Sequence, residues 1–120
     1  MYKERIIQHY KSPSNYGEPK GDSYCSADAY NSSCGDEITG FVQVEDGVIV
    51  DVMFVGEGCA ISMASASILS EELIGKNVDE AVEYDRTDVT DALGIDVTPM
   101  RLKCALLPRD AFVDSMTEEH

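Results

Sequence analysis

Two β-branched runs joined by a tight turn restrict the fold of this chain more than any other feature. Ile38-Thr39-Gly40-Phe41-Val42-Gln43-Val44 alternates imperfectly between apolar and polar residues. Glu45-Asp46-Gly47 follows, and Val48-Ile49-Val50-Asp51-Val52-Met53-Phe54-Val55 resumes the pattern. Alternation with period two suits a half-buried strand, and Asp-Gly suits a two-residue hairpin turn. The pattern predicts a hairpin, ended by Gly56 and Gly58.

Helical spacing appears on both sides of it. Tyr2, Ile6, Ile7 and Tyr10 form one apolar face of a short helix over Met1–Tyr10, with His9 read as a surface residue. Lys11 to Gly21, with Pro13, Asn15, Gly17 and Pro19, is built for turns and extended chain, and Tyr24 to Ser33 carries no clear signal. Ala60 to Ile74 has small and apolar residues at helical spacing, with Glu71 and Glu72 outside and Gly75 as the stop. Its Ala/Ser-rich first half allows close approach to whatever it covers. Asn77 to Ala92 is acidic, with short helical signals. Thr98-Pro99 opens a further helix, and Pro108 is expected to interrupt it, leaving a turn and then a helix from about Pro108 to Met116. The tail Thr117–His120 is expected to fray. With no repeat or linker, residues 1–120 read as one α+β domain: a small antiparallel sheet with helices packed on one face, preceded by a helix and extended arm over residues 1–30.

The formal charge is −14, from 23 acidic and 9 basic residues. Such a surface repels nucleic acid phosphates and anionic lipid, so neither nucleic acid nor membrane is an expected partner. The acid is dispersed and only five residues are lysine, a balance that keeps a protein hydrated in a salty cytoplasm. No apolar run approaches the length that crosses a bilayer, and no export signal follows the Met1-Tyr2-Lys3-Glu4-Arg5 start, so the cytosol is the expected compartment.

In that compartment Cys25, Cys34, Cys59 and Cys104 are expected as thiols, and metal or catalytic work outranks disulfides. Gly35 frees the backbone of Cys34-Gly35-Asp36, so a thiol and a carboxylate can turn toward one point. Cys59 follows a glycine-flanked bend at the start of a helix, where unpaired N–H groups favour thiolate. Because a hairpin folds back, Cys34 and Cys59 are brought to the same edge of the sheet. The spacings, 24 residues from Cys34 to Cys59 and 44 from Cys59 to Cys104, match no zinc finger or ferredoxin. Scattered cysteines alone read as small buried hydrophobes. Cys25, in a presumed loop, and His120 carry no ligand pattern.

The motif context changes that reading. Tyr2…Ile7…His9-Tyr10…Pro13…Asn15-Tyr16-Gly17, Cys34-Gly35-Asp36, Gly58-Cys59-Ala60-Ile61-Ser62…Ala64-Ser65-Ala66-Ser67 and Arg101-Leu102-Lys103-Cys104-Ala105 stand in order along the chain. In these motifs it resembles the U-type iron–sulfur cluster scaffold family: IscU, SufU and the N-terminal domain of NifU. The resemblance implies a three-stranded antiparallel sheet and a scaffold that takes iron and desulfurase-derived sulfur. That scaffold builds a labile [2Fe–2S] cluster and gives it to acceptor proteins, with a homodimer around the cluster as one form. It implies Cys34, Asp36, Cys59 and Cys104 as the residues that hold ferrous iron (Fe2+), the cluster or, in the same site, zinc (Zn2+). A carboxylate in place of a fourth thiolate makes such a site more exchangeable. Cys104, beside the cation of Lys103, is the first choice for a persulfide acceptor.

Two departures separate this chain from IscU. Lys103 replaces the histidine before the third cysteine, as in SufU, and is expected to pair with Asp36 when metal is absent. Yet the insertion typical of SufU between the second and third cysteines is missing. Asp96-Val97-Thr98-Pro99-Met100-Arg101 also differs from the Leu-Pro-Pro-Val-Lys that IscU shows its chaperone, which argues against chaperone-driven release. The competing function is a zinc-dependent sulfur acceptor that activates a cysteine desulfurase. A third is a structural zinc domain.

Overall fold

The predicted hairpin is the centre of the structure. Strands β2 (Asp36–Glu45) and β3 (Val48–Glu57) pair antiparallel. Asp46 and Gly47 between them have φ of 53° and 78°, the left-handed pair that a mirror-image two-residue turn requires. The computed structural model describes residues 4–21, 23–32, 35–94 and 97–117, and only the backbone of Met100. Tyr2, Cys34, Asp96 and His120 therefore lie outside the described residues.

On the other side of β2 lies β1 (Cys25–Asn31), from Cys25 opposite Val42 to Asn31 opposite Asp36, giving the order β1-β2-β3. This run has no β-branched residue, which is why its sequence carried no strand signal. Its backbone is recruited by the edge that β2 offers. Cys25 is thus the first residue of a strand, not part of a loop.

Burial alternates along β2, with Asp36, Ile38, Gly40 and Val42 inward. Helices α2 (Ala60–Leu73) and α5 (Pro99–Thr117) cover this inner face, α5 lying over β1 and β2 and α2 lying beside α5 and β3. Phe112 of α5 sits against Gly40 and meets Phe54 of β3 edge-on, with ring centroids 6.4 Å apart. The core is therefore built between the sheet's inner face and these two helices. Two short helices complete the cover: α3 (Val78–Val82) and α4 (Arg86–Leu93). α4 is started by the reciprocal Asp85–Asp88 cap and ended by Gly94 at φ 72°.

Three expectations change here. α1 spans Glu4–Lys11 and packs on α2, but among the described residues of its expected apolar face Ile6 is buried while Ile7 and Tyr10 stay exposed. His9 is half-buried rather than on the surface, its Nδ1 lying 2.6 Å from the Ser67 hydroxyl. Pro108 does not break α5, which runs through it from the expected Thr98 cap. Pro108 is buried, and its missing N–H leaves only the carbonyl of Cys104 without its helical donor. That oxygen lies 3.2 Å from the hydroxyl of Ser62 on α2.

The arm after α1 lies along the outer edge of β3. Phe54 N–H donates to the Asn15 carbonyl at 3.1 Å and Gly17 N–H to the Phe54 carbonyl at 2.8 Å, while the Tyr16 ring stands edge-on to Phe54 at 5.3 Å. This covers backbone groups that an edge strand would otherwise expose. Among the described residues no helix is long and apolar enough to cross a membrane.

Candidate metal centre

The last pair of the hairpin, Glu37 with Glu57, brings the start of β2 beside the end of β3. Gly35, at φ 75° and with its N–H bonded to the Asn31 carbonyl at 2.8 Å, turns the chain into Asp36. Asp36 begins β2 on the inner face and is 4% exposed. From β3 the chain passes Gly58 and reaches Cys59, the residue that precedes the first turn of α2. Cys59 makes no side-chain cap of its own. Instead its N–H donates to Asp36 Oδ1 at 3.2 Å, so the carboxylate lies where the positive end of α2 attracts an anion. α5 brings Cys104, also 4% exposed, from the third side.

Asp36, Cys59 and Cys104 offer ligand atoms that all lie within 4.8 Å of one another. Two of the three are buried and Cys59 is half-buried, so the group opens to solvent on the Cys59 side. Cys34, the remaining expected ligand, lies outside the described residues. Lys103 is exposed on α5 and forms no salt bridge among the described residues; the expected pairing with Asp36 is not made. Cys25 is half-buried on the inner face at the far end of β1, about 20 Å along the strand from Asn31, the neighbour of Asp36.

One residue of this group was not singled out from sequence. Ser62 is fully buried and its hydroxyl donates to Asp36 Oδ2. The available signals were its place in the Gly58-Cys59-Ala60-Ile61-Ser62 motif and its spacing of three residues from Cys59, which puts both on one side of a helix.

The donor set suits a soft metal. Thiolates select zinc, ferrous iron and iron–sulfur centres, whereas a cage of oxygens would suit magnesium or calcium. The buried Asp36 carboxylate, held by two hydrogen bonds, adds a hard ligand already oriented toward both sulfurs. Such an arrangement can hold a metal or cluster, and its half-buried thiol can meet a partner's sulfur.

Fold and site together define a small α+β protein with a carboxylate–thiol centre at one end of a three-stranded sheet. The model of the family described as NifU-like N terminal domain matches residues 1–118, and the chain belongs to that family of U-type scaffolds. It is 33% identical to the zinc-dependent sulfurtransferase SufU of Bacillus subtilis (strain 168), over 99% of this chain and 91% of the relative. That alignment runs over 136 positions, more than the 120 residues here, so the relative carries residues with no counterpart in this chain. It is also 33% identical to the iron–sulfur cluster assembly scaffold protein IscU of Escherichia coli (strain K12), over 92% of this chain and 87% of the relative. Among solved structures it resembles FiSufU of Fervidobacterium islandicum AW-1, crystallised as a candidate iron–sulfur cluster assembly scaffold for the SUF system. The TM-score is 0.76 at 32% identity, over 92% of both chains.

Proposed function

We propose that this chain is a cytoplasmic iron–sulfur cluster assembly scaffold. It receives ferrous iron and desulfurase-derived sulfur on Cys34, Asp36, Cys59 and Cys104, assembles a labile [2Fe–2S] cluster and passes it to acceptor proteins. The observation that carries this reading is the meeting of Asp36, Cys59 and Cys104 within 4.8 Å at a partly open edge of the fold. A permanent structural site would be closed on all sides by its ligands. Exchange of a cargo needs an opening, and the half-buried Cys59 supplies one.

Sulfur arrives as the outer sulfur of the desulfurase persulfide. A thiolate of this chain attacks that sulfur and keeps it, and the desulfurase cysteine leaves as thiolate. Access favours Cys59 over the buried Cys104 as the thiol a partner meets first. Reduction of the delivered sulfur to sulfide then requires an electron donor. Anaerobic incubation with ferrous iron, cysteine, a cysteine desulfurase and a dithiol reductant tests the reading. A visible chromophore with bound sulfide is expected, and Cys59→Ala should abolish it. A colourless protein without sulfide counts against assembly.

One observation favours a second reading, a zinc-dependent sulfur acceptor. Position 103 holds an exposed lysine, which cannot ligate metal, so no histidine precedes the third cysteine. Stoichiometric zinc in the purified protein, together with faster desulfurase turnover on its addition, would select this reading over the first.

A further inference from the structure

All four serines of α2 at positions 62, 65, 67 and 70 are fully buried, and they fall into three groups. Ser67 and Ser70 hold the arm: Ser67 accepts from Ser14 N–H at 2.7 Å, and Ser70 accepts from Asn15 Nδ2 at 2.9 Å. Ser65 joins α2 to α5 by donating to the Ala105 carbonyl at 2.6 Å. Ser62 lies one turn nearer the metal centre and makes a different set of contacts. Its hydroxyl donates to Asp36 Oδ2, lies 3.2 Å from the Cys104 carbonyl oxygen and stands 3.7 Å from Cys59 Sγ. One buried oxygen therefore touches a group from each of the three segments that build the centre.

We propose that Ser62 is the positioning residue of the metal centre, setting the orientation of the Asp36 carboxylate and the spacing of Cys59 and Cys104 before metal arrives. The inference rests on the proposed reading of this pocket as a metal site. A carboxylate can rotate about its bond to Cβ. The Cys59 N–H on Oδ1 and the Ser62 hydroxyl on Oδ2 hold it at both oxygens. Removing one of the two lets it turn, so that metal binding must repeat the ordering. The Cys104 carbonyl oxygen packs 3.2 Å from the same hydroxyl, whose one proton goes to Asp36 Oδ2. Hydrogen-bond partners of metal ligands commonly change metal affinity by about 10- to 100-fold when removed.

Ser65 provides the matched control, since it makes the same kind of helix-to-helix bond without touching a candidate ligand. The dissociation constant for Zn2+ alone is measured by competition with a chromophoric chelator under reducing conditions. The proteins compared are wild type, Ser62→Ala, Ser62→Thr, Ser65→Ala, Asp36→Ala and the double variant Asp36→Ala/Ser62→Ala. Circular dichroism of each metal-free protein reports its fold. Ser62→Ala is expected to weaken zinc binding about 10- to 100-fold, Ser65→Ala to leave it unchanged, and Ser62→Thr, which keeps the hydroxyl, to restore it. In the Asp36→Ala background the loss of the Ser62 hydroxyl should have little further effect, because its main partner is gone. Wild-type affinity in Ser62→Ala overturns the inference, as do equal losses in both serine-to-alanine variants or full additivity in the double variant. Should Ser62→Ala not fold, a loss of affinity in a folded Ser62→Thr overturns it instead. Wild-type protein that binds no zinc overturns the metal-site reading, whereas tight wild-type binding that Ser62→Ala leaves intact removes only the role of Ser62.

Discussion

At Gly58 a Cβ atom would stand 3.0 Å from Asp36 Cγ and 3.0 Å from Ser62 Cβ. Both neighbours are buried, and Asp36 is held at its two oxygens, so room for a methyl group comes from displacing the carboxylate. Gly58→Ala is expected to fold, to lose about 1–3 kcal/mol of metal-free stability through overpacking, and to bind zinc about tenfold more weakly. Denaturant unfolding and chelator competition read the two effects separately; unchanged zinc affinity would show that Asp36 can move without consequence. At this scale the sequence was legible where a residue's chemistry is scarce. Asp36, Cys59 and Cys104 meet, but the scattered cysteines alone read as small buried hydrophobes, and it was the ordered family motifs that pointed to them as ligands. Ser62 was not legible because serine is common in small-residue helices and its three partners come from three separate segments. Cys25 was misread because nothing in its neighbours marks a strand.

Among the elements, α5 depends on a missing side chain in β2. A Cβ at Gly40 would lie 2.7 Å from Phe112 Cδ1 and 3.4 Å from the backbone carbon of Ala111, closer to the ring than side chains pack. Phe112 is fully buried against Phe54, so the ring has no open space to enter and α5 must lift from the sheet. Gly40→Ala is expected to cost about 1–3 kcal/mol, seen as a lower denaturant midpoint with an unchanged slope. Zinc affinity should change less than in Gly58→Ala, because Gly40 lies about 13 Å up β2 from Asp36. A variant as stable as wild type would show that α5 is not seated by this contact. The same helix explains one limit of reading elements from sequence. Periodicity found the hairpin, α2 and the Thr98 cap because local residues decide those features. The path of α5 through Pro108 is decided by packing on the sheet, and β1 by the edge of β2. None of these is local.

For the whole molecule, the uneven charge works against compaction. The net charge is −14, and Arg109 pairs with Asp110 at 3.0 Å on partly exposed side chains. Such a pair contributes little in water. Acidic neighbours act on other groups: the Tyr84 hydroxyl is pushed up to about 12, first by burial and then by Glu72, with Asp88 and Glu80 adding to it. Repulsion among dispersed carboxylates opposes the compact state, and dissolved salt weakens it. Between about 0.1 M and about 1 M salt the screening length falls from about 10 Å to about 3 Å. The metal-free protein should therefore melt at a higher temperature in 1 M than in 0.1 M potassium chloride, a comparison at about those concentrations that isolates screening. Lowering the pH toward the carboxylate range would also reduce the repulsion, but it would act on paired and unpaired carboxylates together, so salt is the cleaner variable. A melting temperature that stays flat or falls as potassium chloride rises would show that the acid surface is tolerated for another reason, such as basic partners, rather than matched to a salty interior.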